Sequence, residues 1–162
     1  MNKFQAEFYL KLIFLISLIS LISAYFIQFI LGHQPCNLCL IERIPYGVSM
    51  ILIIFTLIFN KNEKFFVLLL IITFIFSLAI SIYHFGIERG FFEESTICAV
   101  KSLSETLTKE DLLKELSMKT VSCKDVTFRI FGLSLTSINI FISLFIIIVL
   151  SKIYNHYEKN RY

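Results

Sequence analysis

Four stretches of this chain contain no Asp, Glu, Lys or Arg: 12–35, 44–60, 65–87 and 130–151. A helix needs roughly 20 apolar residues to cross about 30 Å of hydrocarbon, with a usual range of about 17–25. All four stretches qualify, the second only just. Lipid offers no hydrogen bonds, so each crossing segment must satisfy its own backbone, and a helix does this. The chain therefore reads as an all-α membrane protein, a four-helix transmembrane bundle forming one domain over 1–162. Spans are expected at about 10–31, 41–60, 65–86 and 130–151, with outward loops at about 32–40 and 87–129. A 57% apolar composition with mean hydropathy +0.79 is not that of a soluble domain, and no nucleic-acid partner is expected.

Lys3 and Lys11 precede the first apolar run, as basic residues precede a signal peptide. That run is longer than the roughly 7–15 residues of a signal core, and no small-x-small cleavage site ends it. It is read as a retained span. Lys3, Lys11, Lys61, Lys64, Lys152, Lys159 and Arg161 fall on one side of a four-span protein, against Glu7, Glu63 and Glu158. Basic residues in short flanking segments mark the cytoplasmic side. Both termini are thus expected in the cytoplasm of a multi-pass membrane protein. All four cysteines then face the oxidising compartment, where disulfides persist.

Those cysteines are the chemistry of the chain. Cys36-Asn37-Leu38-Cys39 opens the second apolar segment, and Cys98 and Cys123 lie in the long polar loop. Two intervening residues let the sulfurs of Cys36 and Cys39 meet in one turn, and a second cysteine pair gives their disulfide something to exchange with. A tetrahedral zinc site from the four cysteines is the competing reading. The spacing of Cys98 from Cys123 is not that of a zinc knuckle and the compartment favours oxidation, so redox chemistry is preferred and no metal is expected.

Arg43 follows Cys39 by four residues, which on a continuous helix puts both on one face. A guanidinium there would favour a Cys39 thiolate, the nucleophilic form. Pro45 either starts the helix near Arg43 or kinks it. Gln28 and His84 stand near the outward ends of the first and third spans, and with Arg43 are expected to line a pocket for a polar headgroup on an apolar tail. A quinone fits such a site. In the long loop, Thr108 resembles a helix cap before Glu110 and Asp111, and Leu112, Leu113 and Leu116 share a face opposite Lys109, Lys114 and Lys119. A short amphipathic helix follows, either on the bilayer surface or packed on the bundle.

The order Gln28, Pro35-Cys36-Asn37-Leu38-Cys39, Arg43, then Tyr83-His84-Phe85-Gly86-Ile87-Glu88-Arg89-Gly90, Cys98, Cys123, Phe131-Gly132-Leu133-Ser134 and Asn139 resembles the DsbB family. Members are bacterial inner-membrane quinone reductases that reoxidise the periplasmic thiol oxidase DsbA. The resemblance covers about residues 25–139. It implies redox-active disulfides Cys36–Cys39 and Cys98–Cys123, with Cys98 attacked by the DsbA-like partner and Cys123 released from it. It also implies that Cys36 exchanges with the loop pair and that Cys39 donates to quinone, ubiquinone or menaquinone, beside Arg43. Membrane lipid and the quinone pool complete the implied partners. The chain departs from many relatives in having no Trp and in carrying Glu93-Glu94-Ser95-Thr96 where they have Gly and Pro, a stretch that bears on partner docking.

Two rivals are distinguishable. Enzymes like vitamin K epoxide reductase place the active Cys-x-x-Cys late, after the loop pair, whereas here it comes first. A four-span scaffold of tetraspanin or claudin type has no need of Cys-x-x-Cys beside Arg at a membrane boundary.

Overall fold

The computed structural model describes residues 3–59, 62–93, 122–124, 129–130 and 133–159. Cys98 and the expected amphipathic helix of the long loop lie outside them. Five helices are described: α1 (Lys3–Phe29), α2 (Asn37–Ile41), α3 (Ile44–Ile58), α4 (Glu63–Glu88) and α5 (Leu135–Lys159). Among the described residues, four helical segments are long and apolar enough to cross a membrane: Phe4–Phe29, Asn37–Ile58, Glu63–Glu88 and Leu135–Tyr157. The second is broken, with α2 and α3 sharing it.

Local chemistry sets these ends. Gly32 adopts φ 71°, and His33 N–H donates to the Ile27 carbonyl, closing α1 in a left-handed cap. Pro45 sits in the first turn of α3, where a missing N–H costs nothing, so it starts a helix and does not kink one. The last helix begins later than the apolar run. Residues Arg129–Ile130 (β1) pair antiparallel with Leu133–Ser134 (β2), and Ser134 Oγ then accepts the Ser137 N–H at 3.3 Å as an N-cap. The first helix begins earlier than the run, because a helix continues through Glu7 and Lys11 whatever their hydropathy.

The buried positions repeat at alternating steps of four and three. They are Ala6, Leu10, Ile13 and Ser17 on α1, and Tyr46, Ser49, Ile53 and Thr56 on α3. Val67, Leu70, Phe74, Ser77, Ser81 and His84 follow the same rule on α4, as do Asn139, Ser143, Ile146, Leu150 and Ile153 on α5. A repeat averaging 3.5 is the seam of a left-handed bundle. Small hydroxyl residues mark it: Ser17 meets Ser49 at 3.1 Å between α1 and α3, and Ser77 meets Ser143 at 3.3 Å between α4 and α5. Phe26, Phe76, Phe141 and Phe145 are turned outward, as a lipid-facing surface requires. Helix α4 packs mainly on α5 and α3, and α1 rests on α3 while touching α5 only slightly. The bundle is therefore closed on three sides and parted between α1 and α5.

Candidate redox site and cavity

Cys36 is the N-cap of α2, with its Sγ accepting the Cys39 N–H at 3.3 Å. This one-turn helix turns both thiols the same way, and Sγ of Cys36 and Sγ of Cys39 lie 2.7 Å apart with neither in a disulfide. Cys123 is disulfide-bonded, which removes it from any four-thiolate zinc set. It packs with Cys36, Leu38 and Ile87 in a small buried cluster, against which Cys39, Ile41, Ile80 and Tyr83 also rest.

The second neighbour of Cys36 is His84, whose Nε2 is 3.6 Å from the sulfur. On the far side of the ring, Nδ1 meets Glu42 Oε1 at 2.9 Å, and Thr136 Oγ1 at 3.3 Å. Glu42 Oε2 in turn accepts from Asn139 Nδ2 at 3.2 Å, and Asn139 also donates to Ser81 Oγ and accepts from the Tyr46 hydroxyl. Thr136 donates to Glu88 Oε1 at 2.7 Å, and that oxygen is 3.9 Å from His84 Nε2. A buried carboxylate is costly unless paired, and here each oxygen of Glu42 has a partner. The bond from the Cys39 thiol is the largest of the effects that hold the Cys36 thiol down at about 5, aided by His84 and opposed by burial. In the reduced pair the donors therefore converge on Cys36.

Between α1 and α5 lies a cavity of about 330 Å³, within the roughly 300–1,000 Å³ of small-molecule sites. Ile19, Leu21, Ile27, Ile138 and Ile142 make its walls apolar, and Cys39, Glu42, Arg43, Tyr46 and Asn139 make one end polar. Cys39 is part of this wall. Cys36 and His84 are not.

The structure brings Arg43 and Gln28 together: Nη1 donates to Gln28 Oε1 at 2.6 Å, and the guanidinium lies 5.0 Å above the Tyr25 ring. Arg43 and Cys39 both line the cavity although α2 and α3 are separate helices. The Arg43 guanidinium was expected to favour a Cys39 thiolate; its described partners are Gln28 and Tyr25. His84 was expected among the headgroup-binding residues and instead stands behind the dithiol, against Cys36. Glu42, Tyr46 and Thr136 were missed as site residues, and Glu88 and Asn139 entered only through the resemblance. Glu42 lies four residues before Tyr46, and both continue the buried four–three repeat of α3, a pattern that burial and not hydropathy reveals.

A four-span bundle that holds a Cys-x-x-Cys dithiol at the polar end of a membrane cavity, next to a second, disulfide-bonded cysteine, has the layout of a membrane thiol–disulfide oxidoreductase. Comparison with known proteins gives the family. The DsbB family, described as "Disulfide bond formation protein DsbB", matches residues 6–153, and this chain belongs to it. The chain is 30% identical over 148 residues to an uncharacterized protein, RP370, of Rickettsia prowazekii (strain Madrid E), covering 90% of this chain and 86% of the relative. It is 28% identical over 118 residues to "Disulfide bond formation protein B" of Xylella fastidiosa (strain Temecula1 / ATCC 700964), covering 69% and 68%. No solved structure matches.

Proposed function

We propose that the chain reoxidises a DsbA-like periplasmic dithiol protein and passes the electrons to a membrane quinone held between α1 and α5. One observation carries this reading: Cys39 both lines the cavity and packs against the buried cluster that holds Cys36 and Cys123, whereas Cys36 belongs to that cluster and not to the cavity wall. A dithiol so divided can take electrons on one side and give them up on the other.

The exchange steps balance as follows. A partner thiolate attacks Cys98 of a Cys98–Cys123 disulfide and releases the Cys123 thiolate. Cys123 attacks Cys36 of the Cys36–Cys39 disulfide and releases Cys39. The partner's second thiolate then leaves with an oxidised disulfide and frees Cys98, which attacks Cys123 and restores the loop disulfide. Cys36 and Cys39 remain as a dithiol, two electrons richer. Thiolates are the attacking species at each stage.

The cavity fits a quinone, with apolar walls for the tail and Arg43, Asn139 and Tyr46 at the end where polar ring oxygens would lie. When bound, the quinone supplies a sink for two electrons and two protons. The chain does the rest. Gln28 and Tyr25 hold the Arg43 guanidinium in the wall, where a planar cation can meet developing negative charge. His84 Nε2 can take the Cys36 proton, and Glu42 holds the ring by Nδ1 with its other oxygen turned to Asn139 on the cavity wall. Re-closure of Cys36–Cys39 needs a thiolate attacking the other sulfur, and Cys36 is the one already stabilised as the anion.

The basic flanking segments support an orientation with both termini cytoplasmic and the cysteines periplasmic. The test of the whole reading is one assay. Purified protein is mixed with a reduced DsbA-like protein and either ubiquinone or menaquinone analogue, and quinone absorbance is followed. Quinone reduction matched mole for mole by partner oxidation is the expected result. Partner oxidation without quinone consumption would reject it.

A further inference from the structure

We propose that the reduced Cys36–Cys39 pair and His84 together form a binding site for a thiophilic divalent cation of the Zn²⁺ class. The ligand atoms, Sγ of Cys36, Sγ of Cys39 and one imidazole nitrogen, all lie within 4.8 Å of one another. Tetrahedral zinc binds thiolate at about 2.3 Å and imidazole at about 2.0–2.1 Å, which sets two sulfurs roughly 3.8 Å apart, so the pair at 2.7 Å opens by about 1 Å as the imidazole closes in. The nitrogen that faces Cys36 is Nε2, and the other, Nδ1, is held by Glu42 Oε1 at 2.9 Å. A carboxylate on the remote nitrogen of a ligating histidine fixes its tautomer and raises its basicity, the usual outer support of a metal site.

Three protein ligands leave a fourth position open, and Cys39 borders the cavity from which water or a small anion can enter. Glu88 Oε1, 3.9 Å from Nε2, adds negative charge beside the cation. No spacing along the chain points to this set, because Cys36 and His84 are 48 positions apart and the zinc reading rested on the four cysteines. Binding forms two metal–sulfur bonds and one metal–nitrogen bond and releases whatever protons the two sulfurs and the imidazole nitrogen carry; no electron moves. Oxidation of the pair and metal binding are therefore mutually exclusive. On the function proposed above, the cation would hold the pair reduced and stop electron flow to quinone.

The test needs neither quinone nor partner, so its outcome is independent of that reading. The full chain with Cys98→Ser and Cys123→Ser, which leaves the Cys36–Cys39 pair as its only thiols, is reduced and titrated with Zn²⁺ against a chromophoric chelator. It is also titrated with Co²⁺ to detect sulfur-to-metal charge-transfer absorption. One ion per reduced chain is expected, with sulfur charge transfer, and loss of binding when the pair is oxidised. Glu42→Gln should weaken binding roughly 10–100-fold, as loss of an outer-shell partner does, and His84→Gln should weaken it at least as much. Unmutated reduced protein provides a second measurement free of folding effects: Zn²⁺ should protect Cys36 and Cys39 from iodoacetamide, read by peptide mass. Equal binding to oxidised protein, binding unchanged by His84→Gln, or no protection of the pair would each overturn the proposal.

Discussion

His84 presents Nε2 to the sulfur of Cys36 at 3.6 Å, across 48 residues of sequence and from helix α4. The ring is fixed from behind by Glu42, so the Cys36 thiol has a proton acceptor in place before any substrate arrives. The bond from the Cys39 thiol is the larger effect, and with it this pairing holds the Cys36 thiol below the usual thiol range.

The first prediction follows from that lowering. Cys36 is held at about 5, against 9.0 for an ordinary thiol, so its thiolate is present above that pH and is lost as pH falls through it. The iodoacetamide alkylation rate of Cys36 in reduced protein should be flat from neutral pH down to about 6 and then fall with a midpoint near 5. A hydrogen bond to a charged group contributes about 1.5–3 kcal/mol, so His84→Gln should move that midpoint up by roughly 1–2 in pH. A midpoint unmoved by the substitution would mean that the imidazole does not act on the thiol.

Arg43 is predicted to act on the quinone and not on thiol exchange. Arg43→Gln should raise the apparent quinone KM by about 10–100-fold, the worth of a charge-assisted bond of roughly 1.5–3 kcal/mol. Arg43→Lys should restore little of this, because an ammonium lacks the planar fork. Gln28→Ala should shift KM the same way by a smaller factor, since it only holds the guanidinium. Steady-state rates at varied quinone and saturating reduced partner check this; an unchanged KM with a slowed partner step would make Arg43 an interfacial anchor.

The direction of exchange gives a third expectation. With Cys123→Ser, the thiolate that would continue the exchange is gone, and a mixed disulfide between Cys98 and the partner should accumulate. Non-reducing electrophoresis and peptide mass spectrometry identify it. A trapped species joined through Cys36 would reverse the assigned order.

Gly86 carries a structural prediction. Gly90 turns the chain at φ 78°, and the Phe92 ring folds back to stack on Tyr83 at 5.7 Å, lying where a side chain on Gly86 would stand. Gly86→Ala should therefore destabilise the protein by about 1–3 kcal/mol, the usual cost of overpacking. Thermal unfolding in detergent would show the loss, and Phe92→Ala in the same chain should recover part of it.

Much of the fold was legible in the uncharged runs. Four helices long enough to cross a membrane follow from them, since a backbone in lipid has no other partner than itself. The ends were less legible. Helix α1 runs through Glu7 and Lys11, and α5 waits until Ser134 can cap it, because caps and turns obey hydrogen bonding and not hydropathy. Pro45 announced a helix boundary, but only the structure separates α2 from α3 there.

The site divides in the same way. The sequence by itself determined the reactive groups: a Cys-x-x-Cys at a membrane edge, an arginine one turn on, a histidine closing the third span, and a family order that names their chemistry. Only the tertiary structure decided which sulfur faces the cavity, that Arg43 rests on Gln28 and Tyr25, and that Glu42, His84 and Asn139 meet at one level. The reason is physical. In lipid the outer face of a helix is as apolar as the inner one, so hydropathy carries no contrast that marks the buried seam. Its orientation is set by close packing of small residues and by hydroxyl pairs such as Ser17–Ser49 and Ser77–Ser143, which join residues far apart in the chain. Once those contacts set rotation and stagger, the outward ends of three seams come level, and a glutamate that read as a rim charge becomes the buried partner of the histidine beside Cys36.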